Sequence, residues 1–118
     1  MPSVLVLGLS PKHSKSLQFM PEDRLAQMLQ ASEKALEEAG YDAKCVYLER
    51  DDDVEYAKAT IKEKDWDTIV IGAGIRTIPE LTLVWETLLN AAHLALPNKL
   101  LCFNSNPADV LDAVRRVC

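Results

Sequence analysis

Thr68-Ile69-Val70-Ile71-Gly72-Ala73-Gly74-Ile75-Arg76-Thr77 decides the fold of this 118-residue chain. It opens as a β-branched run, the composition of a strand. The run is too short for a helix and is broken by two glycines, which mark a turn. The turn presents one cation, Arg76. A second continuously apolar run, Val4–Leu9, leads into a polar stretch, Ser10–Met20, that carries Lys12 and His13. Runs without polar alternation are those of parallel strands covered on both faces. If the two strands are neighbours, their two loops meet.

Working outward, the chain alternates strands with helices. Pro21, Glu22 and Asp23 suit a first helical turn, and Gly40 suits its close. Between them Leu25, Met28, Leu29, Ser32, Leu36 and Ala39 share one helical face. Ala43–Leu48 reads as a strand, and Asp51–Asp53 as the capped, solvated start of a helix burying Val54, Ala57 and Ile61. After a Gly72–Pro79 turn, Glu80–Leu96 is the most apolar helix. Lys99–Phe103 reads as a fourth strand, and Asn106, Pro107 and Asp109 as the first turn of a last helix burying Val110, Leu111 and Val114. Strands alternating with helices imply right-handed crossovers and a parallel sheet. The expectation is one α/β domain over residues 1–118: three layers, α/β/α, around a four-stranded parallel sheet of order 2-1-3-4. In such sheets ligands bind beyond the carboxyl ends of the strands where the order reverses, here strands one and three.

Composition bounds the partners. The net charge of −5 argues against a broad nucleic-acid or anionic-membrane surface, which needs a basic face. No apolar run approaches the length of a membrane span, and the N-terminus reads as a strand and not as a leader. Cys45, Cys102 and Cys118 are an odd number without pair spacing, so free thiols in a reducing, cytoplasmic setting are expected.

Two stretches, together with Asn104, carry candidate chemistry. Gly72-Ala73-Gly74-Ile75-Arg76-Thr77 starts like a dinucleotide turn, in which glycines let a pyrophosphate approach a helix N-terminus. Thr77 stands at the third glycine position, Pro79 interrupts the helix, and Asn104 ends the next strand where an acidic residue is needed. The glycines are therefore read as backbone geometry around a smaller site. Ser10, Lys12, His13 and Ser14 could cradle a phosphate or carboxylate. Arg76 could grip the same anion bidentately, or pair with Glu80 or Glu49. His13 could move a proton, and Thr77 and Asn104 could orient the ligand. No His/Cys/carboxylate cluster suggests a metal.

The element order resembles the flavodoxin-like and Rossmann-like group of small α/β domains. Residues 72–77 and Cys102-Phe103-Asn104-Ser105-Asn106-Pro107-Ala108-Asp109 look similar to phrases of small bacterial α/β proteins without an assigned activity. Receiver domains, sugar-phosphotransferase carriers and low-molecular-weight tyrosine phosphatases are set aside, because their acidic pair, nucleophilic Cys and Cys-x5-Arg loop are missing.

The functional expectation is a small anionic ligand, bound or turned over by metal-independent acid/base chemistry without a cofactor. Ser10, Lys12, His13, Ser14, Gly72, Gly74, Arg76, Thr77 and Asn104 would form the site, with His13 catalytic. Two alternatives stand beside it. One is a homodimeric interaction module docking through Glu80–Leu96, whose Leu83, Trp85, Leu89, Leu94 and Leu96 exceed what one sheet contact needs. The other is an FMN-binding flavodoxin-like protein.

Overall fold

The computed structural model describes residues 1–18 and 20–118; Phe19, inside the expected Ser10–Met20 loop, lies outside them. Strands β1 (Ser3–Leu9), β2 (Asp42–Leu48) and β3 (Thr68–Ile71) form a parallel sheet of order β2-β1-β3. Helices α1 (Glu22–Glu38) and α5 (Val110–Arg115) cover one face. Helices α2 (Val54–Ile61) and α4 (Thr82–Ala95) cover the other.

Alternation along β1 separates the two cores. Leu5, Leu7 and Leu9 join Ile69, Ile71, Ile61 and Leu88 under α2 and α4. Val4 and Val6 join Val70, Leu36, Val110 and Val114 under α1 and α5. Trp66, at the foot of β3, is fully buried in the first cluster and donates its indole N–H to the Thr60 carbonyl at 3.1 Å. That bond lets a large side chain close the core without leaving a polar atom unpaired. At the end of α1, Gly40 (φ +92°) closes the helix in the left-handed region. Gly40 N–H reaches the Glu37 carbonyl and Tyr41 N–H the Leu36 carbonyl, both at 3.0 Å, the double bond of a Schellman cap.

The expected four-stranded sheet is corrected to three strands. Lys99–Phe103 does lie beside β3, but it makes a single parallel bridge, Val70 to Cys102. Side chains take the carbonyls around that bridge. Thr68 Oγ1 donates to the Leu100 carbonyl at 2.8 Å, the Arg116 guanidinium to the Phe103 carbonyl at 2.7 Å, and the Arg76 guanidinium to the Asn104 carbonyl.

Two helix starts also differ from expectation. Gly72–Pro79 is not an open turn: Ala73–Thr77 is a short helix (α3), and a 3-10 turn at Pro79–Leu81 precedes α4. The last helix begins at Val110 and not at Asn106. The Asp109 carboxylate instead accepts the N–H groups of Ser105 (3.0 Å) and Asn106 (3.2 Å), folding residues 104–109 into a self-bonded loop.

Candidate functional site

The ladder between β1 and β3 pairs Val6 with Val70 and Leu7 with Ile71, and continues through a 2.8 Å bond from Gly72 N–H to the Leu7 carbonyl. The next position brings Gly8 beside Gly72. A Cβ built on Gly72 would stand 3.4 Å from the Gly8 Cα. On the face under α1, therefore, β1 runs Val4, Val6, Gly8, and β3 runs Val70, Gly72. Both strands lose their side chains in the same layer.

A cavity of about 310 Å³ lies there, at the carboxyl ends of β1 and β3. Bare backbone at Gly8 and Gly72 forms its floor. Met20, Leu25 and Leu29 line the α1 side, Tyr47 of β2 one flank, and Pro107 and Val110 the other. Ala73, Gly74 and Thr77 of α3 and the loop residues Asn104, Ser105 and Asn106 complete the lining. This is the position that the strand order assigns to a ligand, and the volume and apolar lining suit a small molecule.

Among the lining residues none carries a charge. Tyr47 is the one titratable group, and burial, followed by the neighbouring Cys45, pushes its pKa up. It thus stays a neutral phenol. Cys45, two residues before it on the strand, has its thiol pushed up to about 12 by burial, which keeps it protonated and unreactive. Both ends of the Asn104 amide are bonded within the chain: Oδ1 accepts Ala73 N–H at 3.1 Å and Nδ2 donates to the Asn106 carbonyl at 2.8 Å. It caps the first N–H of α3 and holds the loop. The Thr77 hydroxyl donates to the Ala73 carbonyl at 2.7 Å.

The sequence-expected site residues divide into separate groups. Gly72, Gly74, Thr77 and Asn104 line the cavity. Arg76 does not. Its Nε–H donates to the Ile71 carbonyl at 2.9 Å, its terminal nitrogen to the Asn104 carbonyl, and its guanidinium stacks over the Phe103 ring at 5.2 Å. Burial lowers its pKa, opposed by the nearby Asp109. The Phe103 ring also meets the Trp85 ring nearly at a right angle, at 5.8 Å between ring centroids.

His13 is 3% exposed and faces elsewhere. Its Nδ1 accepts the Lys15 N–H at 3.0 Å, so the ring proton sits on Nε2, which donates to Asp51 at 3.0 Å. Ser10 scaffolds the same loop: its hydroxyl oxygen accepts Lys12 N–H at 3.1 Å, and its carbonyl accepts the Ser16 hydroxyl at 2.8 Å. Lys12 and Ser14 line a separate, open depression with Glu49, Arg50 and Asp51. Lys12, His13 and Arg76 thus do not converge on one crevice. Sequence reasoning passed over Gly8, Tyr47 and the α1 wall. A usable signal was present: both strands end a β-branched face with glycine.

Set against protein-family models, curated proteins and solved structures, the chain matches none. The functional reading therefore rests on the cavity's own chemistry.

Proposed function

We propose that the protein binds a small, uncharged and mainly apolar molecule in the cavity above Gly8 and Gly72. The observation that carries this reading is the paired loss of side chains in register, Gly8 beside Gly72, beneath intact walls of Leu25, Leu29 and Tyr47. An apolar pocket with a few neutral polar groups takes its affinity from desolvation and its orientation from those groups. The anion expected from Lys12 and Arg76 is replaced by a neutral ligand, because neither cation lines this cavity. Binding is favoured over acid/base turnover, since His13 is turned toward Asp51 and Lys15.

Amide NMR spectra recorded against a small fragment library test this reading. Shifts should cluster at Gly8, Gly72 and residues 104–110, and should vanish in Gly8→Val. A library that leaves those amides still, while moving residues beside Lys12 and Asp51, would place ligand binding in the charged depression instead.

A second reading, docking through α4, is favoured by one observation. Leu83 and Leu94 are 75% and 79% exposed and fall on one line of the helix with Thr87 and Asn90. Trp85 and Leu96, by contrast, are used inside the chain. Light scattering at rising concentration tests self-association through this line. A constant monomer mass in both the native chain and Leu83→Glu/Leu94→Glu would remove the homodimer.

A further inference from the structure

We infer that two copies of this chain pair through α4, antiparallel, about a twofold axis between Thr87 and Asn90, with Glu86 of each copy meeting His93 of the partner subunit; this rests on the α4 docking reading above. The spacing along the helix comes first. Leu83, Thr87, Asn90 and Leu94 succeed one another at intervals of four, three and four. That is the repeat of a seam between two packed helices. The series also reads the same in both directions, since the midpoint of residues 83 and 94 is the midpoint of 87 and 90. An antiparallel copy therefore sets Leu83 against Leu94 of the partner subunit at both ends. It sets Thr87 against Asn90 of the partner subunit on either side of the axis. One patch is thus complementary to itself, as an isologous contact requires. The exposed leucines at the ends supply apolar burial. The hydroxyl and carboxamide in the middle can bond each other, which penalises a slipped register.

Charge complementarity selects the direction. Glu86 and His93, both exposed, flank the seam on one side. Val84 and Ala91 flank it on the other and are buried in the core shared with α2. In an antiparallel pair the like flanks face each other. Glu86 then lies two residues, about 3 Å of helical rise, from level with His93 of the partner subunit. Symmetry makes that contact twice. The imidazole N–H donates to the carboxylate whether the ring is neutral or charged. In a parallel pair each charged flank would face the partner subunit's Val84 and Ala91, and neither polar group would be answered. Within one chain Glu86 and His93 stand about two turns apart, too far to bond each other. The contact is short, since α4 has 14 residues, and short contacts give weak, concentration-dependent dimers.

Sedimentation equilibrium of the full chain, from about 10 μM to about 1 mM, measures the pairing. Glu86→Lys and His93→Glu each spoil both contacts and should raise the dimer dissociation constant about fivefold or more. The double variant Glu86→Lys/His93→Glu exchanges the charges and should return to within about twofold of the native chain. An equimolar mixture of the two single variants should associate more tightly than either alone, because each then meets its complement in the other. A native dimer that neither single variant weakens, or a double variant as weak as the singles, overturns the antiparallel pairing and leaves docking through α4 standing. A dimer that survives Leu83→Glu/Leu94→Glu, or a native chain that stays monomeric throughout the range, overturns the pairing and the docking reading together.

Discussion

A methyl group placed on Gly8 and one placed on Gly72 meet different surroundings, and the contrast defines the site at the scale of single residues. On Gly8 the new carbon would touch only the Tyr47 ring, at 3.5 and 3.7 Å, which is ordinary contact. On Gly72 it would lie 3.1 Å from the Leu7 carbonyl oxygen, a backbone atom fixed in the sheet. Gly8→Ala should therefore leave stability within about 0.5 kcal/mol of the parent. Gly72→Ala should cost ~1–3 kcal/mol, the usual penalty of overpacking a rigid site. Urea unfolding of the two variants measures the difference, and equal losses would show that the sheet yields at Gly72. Arg76 teaches a related lesson. Sequence alone identifies a guanidinium near a switch point. It does not reveal that three short-range partners, the Ile71 and Asn104 carbonyls and the Phe103 ring, already hold it.

At the scale of elements, the strands and helices were legible because their signals are local. The apolar runs of β1 and β3, Pro21 at the head of α1 and Gly40 behind it all act within a few residues. What was not legible depends on contacts distant in sequence. The fourth strand is a single bridge, and Thr68 and Arg76, from other elements, hold the Leu100 and Asn104 carbonyls on either side of it. Residues 10–16, expected within a long polar loop, fold around His13, which is tied to Asp51 after β2, with Lys15 reaching Glu80 at 3.5 Å. His13→Ala removes both ring contacts. It should lower stability by ~1–3 kcal/mol, the cost of lost buried hydrogen bonds, and speed hydrogen exchange at the Lys15 amide. Unchanged exchange there would show that the loop holds its shape without the ring. Asp67 joins the feet of β1 and β3: its carboxylate accepts Ser3 N–H at 2.8 Å, and this bond, helped by Lys99, lowers its pKa. A carboxyl with a depressed folded pKa binds fewer protons folded than unfolded, so its contribution is full above about pH 4 and fades as the pH falls. Asp67→Asn should accordingly be less stable than the parent at neutral pH, and the gap should close in acid. A gap constant down to pH 2 would exclude the linkage.

At the scale of the whole molecule, two surfaces divide the functional possibilities. The cavity under α1 is lined by elements from across the chain, from Val6 to Val110. The line of Leu83 and Leu94 belongs to one helix and faces outward. No described helix is long and apolar enough to cross a membrane, so those leucines are not part of a helical span. The overall architecture places the cavity's far wall on the segment that follows the Val70–Cys102 bridge. That attachment has a kinetic consequence. Apart from side-chain ties, the backbone of this segment holds the sheet through Cys102 N–H to the Ile69 carbonyl at 3.1 Å and Ile71 N–H to the Cys102 carbonyl at 3.4 Å. A unit so lightly laced opens at a free energy below that of global unfolding. The Cys102 amide should then exchange faster than the Leu5 and Leu7 amides in the middle of β1, and a ligand pressed against Pro107 and Val110 should slow it. Residence time in the cavity would be governed by how often this hem of the sheet lifts, and stitching it down with a longer ladder would trap a ligand without adding one contact to it.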